Sequence, residues 1–254
     1  MKILRFLHPE RRTPSWGKLL EGDVVEEITS PFGKVTERGA RFFLRDLWIL
    51  PPVRPSKIVA VGLNYKDHIA ELGQSVPENP ILFLKPQTAV IGPKEPILLP
   101  PCSSRVDYEA ELAVVMKRRA FRLKKSEVRD YILGYTCFND VTARDLQTKD
   151  GQWTRSKSFD TFAPLGPWIE DELDPGNCTV RCFVNGTLKQ EGNTRTLLFP
   201  VEELIVFISE IMTLLPGDVI ATGTPKGVGP LAPGDIVEVE VEGIGILQNP
   251  VATR

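Results

Sequence analysis

The stretch Pro233-Gly-Asp-Ile-Val-Glu-Val-Glu-Val-Glu-Gly243 alternates apolar and acidic residues without interruption from Val237 to Glu242. A period of two marks a β-strand with one buried and one solvated face, and Pro-Gly-Asp ahead of it is turn chemistry. Upstream, Pro216-Gly-Asp-Val-Ile-Ala-Thr-Gly223 uses the same device to launch a shorter apolar strand. Further back, Lys57–Leu63 (KIVAVGL), Val106–Met116 (VDYEAELAVVM) and Tyr135–Phe138 also read as strands. Helical signals are fewer. Asn64 or Asp67 can cap a short helix through His68–Leu72, closed by Gly73. Ser126–Leu133 reads as one or two turns, and Thr142–Gln147 opens another helix. Pro200–Leu215 is the clearest, with Pro200 at its first position and an apolar stripe of Leu204, Ile208, Ile211 and Leu215. Strands broken irregularly by helices predict a β-rich α+β chain built on an antiparallel or mixed sheet.

Two domains are expected. Residues 1–55 hold short strand-like runs (Lys2–Leu7, Val24–Glu27) and end in Leu50–Pro55, whose three prolines make it a linker. Residues 56–254 form the main domain. With 31 basic and 33 acidic residues, no basic footprint exists for nucleic acid. The opening MKILRFLHPERR lacks the apolar run of a signal peptide, and no stretch reaches the ~20 apolar residues of a membrane span. A cytoplasmic location is expected. The four cysteines include no C-x-x-C pair. Cys178 and Cys182 would share one strand face, where a bridge or a zinc pair is imaginable and simple burial is the ordinary alternative.

Within the strand Val106–Met116, Asp107, Glu109 and Glu111 fall on one face. Three carboxylates in a row repel one another unless a cation, a basic cluster or water screens them. Glu238, Glu240 and Glu242 have the same spacing and are compatible with a solvated edge, but the first strand runs on into an apolar core. Asp140 falls where a strand gives way to a helix, and Arg144 and Gln147 share one helical face beyond it. Glu109, Glu111 and Asp140 would give a hard divalent cation three oxygen ligands, with positions open for a chelating guest. With only His8 and His68, zinc is disfavoured. His68 and Glu71 lie one helical turn apart, where a carboxylate could orient the imidazole; an ordinary surface pair is the alternative. Lys157 is a candidate buried cation. The loop Thr222–Gly229 is glycine-rich without being a P-loop, and it could form a tight turn or present backbone N–H groups to an anionic substrate.

Taken together, KIVAVGLNYKDHIAELG, ILFLKP, DYEAELAVV, ILGYTCFNDVTARDLQ, WTRSKSFDTFAPLGPWI, VNGTLKQEGNT, LLPGDVIATGTPKGVGP and PGDIVEVEVEGIG resemble, in order, the fumarylacetoacetate hydrolase superfamily. The resemblance runs from about Lys57 to the C-terminus, and the first fifty residues resemble the small leading domain of bacterial isomerase/decarboxylase members. It implies a mixed β-sandwich/roll, a homodimer, and Mg²⁺ or Mn²⁺ held by Glu109, Glu111 and Asp140. It further implies an active-site lysine at Lys157, substrate contacts from Arg144, Gln147 and Thr224, and a His68–Glu71 dyad on a lid segment of members that cleave C–C bonds. Asp107 is part of the motif without being implied as a ligand.

The expected chemistry is stabilisation of the enolate of a small 2-oxo or 2-hydroxydienoic acid. The likeness of the whole chain favours a 2-hydroxyhepta-2,4-diene-1,7-dioate isomerase-like enzyme of aromatic catabolism. An acylpyruvate (fumarylpyruvate-type) hydrolase or an oxaloacetate decarboxylase is the alternative. Readings from other classes are a nucleotide-binding protein using the glycine loop and a structural β protein whose acidic strand faces solvent.

Overall fold

The strand Ala110–Met116 carries an almost unbroken apolar run because both of its faces are covered. In the computed structural model, which describes residues 1–71 and 73–254, Leu112, Val114 and Met116 enter one core while Ala113 and Val115 enter another. Ile132–Asn139 and Val219–Ala221 flank this strand, both antiparallel to it. Around this centre the described residues build a sheet of twelve strands. In one direction it passes from Val219–Ala221 to the parallel Ile58–Gly62 and ends at Ile81–Lys85. In the other it passes through Ile132–Asn139 and Ala163–Glu170 to Lys2–Leu7. The strands Pro14–Leu20, Val24–Ile28 and Glu37–Phe43 then complete that side. The first fifty residues thus extend the same sheet, with Lys2 and Ile3 paired to Glu170 and Ile169. Leu4, Phe6 and Val25 add a small core there.

A second sheet of five strands is ordered Thr187–Asn193, Thr179–Val184, Ile236–Val241, Gly245–Thr253, Ile97–Leu99. Val237, Val239 and Val241 are buried against the large sheet, whereas Glu238 and Glu240 are half-buried and Glu242 is exposed. The alternation in the sequence is therefore one of burial, and these three glutamates form a solvated face. The two sheets and their shared core give the β-rich α+β sandwich expected.

Several elements differ from their sequence reading. The helix expected over Pro200–Leu215 is shorter: α4 spans Val201–Ile211 with Pro200 as its N-cap. Its buried stripe is Leu204, Ile205 and Ile208, while Ile211 and Leu215 are 56% and 40% exposed. The chain leaves the helix at Met212 so that Leu214 can pair with Ala120 and enter the core. The turns expected over Ser126–Leu133 form a 3₁₀ helix, Lys125–Tyr131. Thr142 and Ala143 form a short strand, and α2 spans Arg144–Asp150. The helix expected through His68–Leu72 is α1, Lys66–Glu71; Leu72 lies outside the described residues. Asn64 does not cap it, because its side chain bonds Phe199 and Thr222 instead. Cys178 and Cys182 are buried free thiols. Among the described residues no helix is long and apolar enough to cross a membrane.

Candidate active site

The strand expected over Val106–Met116 breaks at Glu109, and the break builds the site. Val106–Tyr108 pairs with Thr142–Ala143 and Gly229–Pro230 in a separate three-stranded sheet, whereas Ala110–Met116 belongs to the large sheet. Glu109 bridges the two. Its N–H donates to Asn139 Oδ1 at 3.0 Å, and its carbonyl accepts from the Asp140 N–H at 2.8 Å. These bonds tie the acidic strand to the end of Ile132–Asn139 and carry Asp140 toward it. Glu109, Glu111 and Asp140 are all buried, and each offers an oxygen within 4.8 Å of the other two.

Cations surround this cluster on one side. Lys157, delivered by the short helix α3 (Thr154–Lys157), donates to Glu109 Oε2 at 2.9 Å and Asp140 Oδ2 at 2.6 Å. Arg144 spans Asp107 and Glu109, with Nε 2.9 Å from Asp107 Oδ2. Its Nη1 also donates to Gln147 Oε1 at 2.7 Å, so the pair that shares a face of α2 is fixed as one unit. Asp107 faces Arg144 and Arg105 rather than joining the cluster.

Burial would raise Glu109, but Lys157 and Arg144 outweigh it and hold its carboxyl well below the usual range. The burial that would strip Lys157 of its proton is likewise overcome by Asp140 and Glu109, which push it up. Glu111 behaves oppositely. Its sole hydrogen-bond donor among the described residues is the Gly223 N–H, at 2.9 Å. Burial, then the charges of Asp140 and Glu109, push its carboxyl well above the ordinary value. A buried carboxylate without a cation partner is costly to ionise. The set of three clustered oxygens, one lacking a counter-charge, fits a hard divalent cation. The oxygens of Glu109 and Asp140 that meet Lys157 and Arg144 keep further lone pairs.

His68, Gln147 and Thr224 line the same cavity of about 310 Å³ as the three carboxylates, Arg144 and Lys157. His68 Nδ1 lies 3.0 Å from Glu71 Oε2. The Thr224 hydroxyl accepts from Gln190 Nε2 at 2.8 Å, which leaves its own proton free for the cavity. The glycine loop follows neither of its expected roles alone. Its Gly223 N–H serves Glu111, and its Gly227 N–H donates to Glu71 Oε1 at 3.0 Å. Those two donors meet protein carboxylates instead of an anionic guest.

Comparison with known proteins follows the same residues. Residues 57–252 match the fumarylacetoacetate (FAA) hydrolase C-terminal family, and residues 1–52 match the Rv2993c-like N-terminal family. The chain belongs to the fumarylacetoacetate hydrolase family. It is 43% identical to the mitochondrial oxaloacetate tautomerase Fahd2a of Rattus norvegicus over 215 residues, 80% of this chain and 69% of that one. A 2-hydroxyhepta-2,4-diene-1,7-dioate isomerase from Mycobacterium marinum superposes with a TM-score of 0.92 at 42% identity, covering 100% of this chain and 99% of that one. A maleylpyruvate hydrolase from Sphingobium sp. SYK-6, solved with manganese(II) and pyruvate, superposes with a TM-score of 0.83 at 30% identity, covering 100% and 99%. Relatives in this family are therefore isomerases, tautomerases and hydrolases.

The fumarylacetoacetate hydrolase domain of this chain also places around this cluster side chains that sequence reading did not single out. Lys85, at the end of Ile81–Lys85, is fully buried and pairs with Asp140 Oδ1. Its carbonyl partner is Val141 at 3.1 Å. A lysine closing an apolar strand and followed by proline was the available signal, because such a lysine must find a buried partner or turn out to solvent. Gln190, Phe83 and Trp153 had no comparable mark. Their positions depend on pairings between distant strands and loops.

Proposed function

We propose that this chain is a divalent-metal-dependent isomerase that handles a small 2-oxo or 2-hydroxydienoic acid through its enolate. The observation that carries this reading is the placement of Glu111, a buried carboxylate without a cation, beside Glu109 and Asp140 in a cavity that also holds Arg144 and Gln147. Glu109, Glu111 and Asp140 would hold Mg²⁺ or Mn²⁺, which when bound supplies an electrophile that lowers the cost of negative charge on the C2 oxygen. Arg144 binds the substrate carboxylate. Its tie to Gln147 fixes the guanidinium plane before the guest arrives, so little orientation is lost on binding. Lys157 holds its proton and adds a fixed positive charge next to the developing enolate. The Thr224 hydroxyl proton is free to donate to the same guest. Glu71 occupies His68 Nδ1, so Nε2 is the nitrogen that exchanges a proton with carbon or water.

Isomerisation is preferred because two of the relatives above are an isomerase and a tautomerase. Hydrolytic cleavage of an acylpyruvate is the second reading, favoured by the His68–Glu71 pair at the cavity, which could activate water. Oxaloacetate decarboxylation would use the same enolate. A panel of 2-hydroxyhepta-2,4-diene-1,7-dioate, oxaloacetate and an acylpyruvate, assayed with Mg²⁺ and with chelator, tests the proposal. Metal-dependent isomerisation of a dienoate or of oxaloacetate is expected. Turnover unaffected by chelator and by Glu109→Gln would overturn it.

A further inference from the structure

The charged cluster occupies one side of the cavity, and an aromatic pair occupies another. Phe83, from Ile81–Lys85, and Trp153, the residue that opens α3, meet edge to face with ring centroids 5.2 Å apart. The Lys157 ammonium lies 4.8 Å from the centre of the Phe83 ring. The aromatic pair therefore adjoins the fixed charge of Lys157.

Trp153 can lie there because residue 62 has no side chain. A Cβ on Gly62 would come within 2.6 Å of Trp153 Cζ3 and 2.8 Å of Cη2. Gly62 ends the strand Ile58–Gly62 and pairs with Ile81, so its backbone cannot retreat without disturbing the sheet edge. The opposite end of Trp153 is also anchored. Its carbonyl accepts from the Lys157 N–H at 3.0 Å and from Ser156 Oγ at 2.9 Å. The indole is thus held against the glycine by the same turn that delivers Lys157.

We infer that the Trp153–Phe83 pair, seated on Gly62, is the specificity wall of the site and selects a substrate with a planar, conjugated carbon chain beyond C3. The inference rests on the 2-oxo acid reading above and names its substrate class. A flat unsaturated chain stacks on fixed aromatic faces and buries apolar surface there. Oxaloacetate places a second carboxylate within two carbons of its oxo group and has nothing to offer such a wall.

Titration calorimetry of the Mn²⁺-supplemented protein with two probes tests this. Oxalate is a compact chelator, and 2-oxo-4-phenylbut-3-enoate carries a planar conjugated tail. Trp153→Leu is expected to weaken the planar ligand at least tenfold and to leave oxalate within about twofold, a range set by the modest worth of apolar pocket contacts. Gly62→Ala, which displaces the indole while retaining it, is expected to act in the same direction. Unchanged oxalate binding also reports that the variants are folded. Equal weakening of both probes, or of neither, overturns the inference. Failure of the wild-type protein to bind either probe with Mn²⁺ present overturns the 2-oxo acid reading itself.

Discussion

Lys85 and Asp140 form an ion pair in which neither side chain has measurable access to solvent beyond 1%. The other oxygen of Asp140 accepts from Lys157, so this carboxylate is held between two ammonium groups. Burial lowers the pKa of Lys85 even though Asp140 opposes the shift. Asp140 therefore keeps its place in the cluster through charges that desolvation makes expensive to separate.

Lys85→Met is expected to strip Asp140 of one of its two buried counter-charges, leaving only Lys157, and to destabilise the metal-free protein by about 3 kcal/mol, the lower end of the range for breaking one half of a buried pair. For a chain of this size that is a fall in Tm of roughly 10 °C. Added Mn²⁺ should restore part of the missing counter-charge, so its stabilising effect should be larger on the variant than on the wild-type protein. Thermal melts with chelator and with Mn²⁺ check both statements. Equal melting temperatures of the two chelated proteins would show that the pair contributes no stability.

Glu111 predicts an unusual pH dependence. Its carboxyl is raised well above 4.5 by burial and by Asp140 and Glu109. The folded state then binds more protons than the unfolded chain, and stability falls as pH rises from the ordinary carboxylate value through the raised one. Glu109 and Asp145 are shifted the other way and lose their contribution only as pH falls below the ordinary carboxylate range. Their effects therefore do not overlap. Chelated protein should lose Tm as pH rises above the ordinary carboxylate range, Mg²⁺ should reverse the loss, and Glu111→Gln should flatten the profile. A chelated Glu111→Gln variant with the wild-type slope would assign the dependence to another group.

The sheet was legible where one strand could report its own burial. Ile236–Val241 shows its alternation and Ala110–Met116 its double coverage, because both patterns come from the pleat alone. Spacing also brought Arg144 next to Gln147 and His68 next to Glu71, since a helical turn is local. It could not show that the acidic strand breaks at Glu109, which depends on Asn139 and Asp140 arriving from another strand. Nor could it show that Asp107 turns to Arg144 and Arg105, or that Lys85 pairs with Asp140. The same limit explains α4, whose last turn is given up so that Leu214 can reach Ala120. Alternation along one chain reports a face, while the partner on that face is set by tertiary pairing.

Glu71 accepts from two groups at once, His68 at Nδ1 and the Gly227 N–H. Gly227 is itself confined: its φ is +97°, and a Cβ there would meet the Lys189 carbonyl oxygen at 2.4 Å. Its own carbonyl accepts from the Tyr108 hydroxyl at 3.1 Å. The glycine loop therefore sets the direction of Glu71, and Glu71 sets the tautomer and direction of His68. A glutamine at position 71 has one acceptor oxygen and would turn an NH₂ toward one of these donors, losing that bond. Glu71→Gln is thus expected to lower kcat by about 10²-fold, at the lower end of acid–base contributions, while Mn²⁺ affinity remains that of the wild-type protein. His68→Ala should suppress acylpyruvate hydrolysis, again with metal binding spared. Steady-state kinetics beside Mn²⁺ titration separate the two effects, and hydrolysis at the wild-type rate in His68→Ala would remove the imidazole from the reaction.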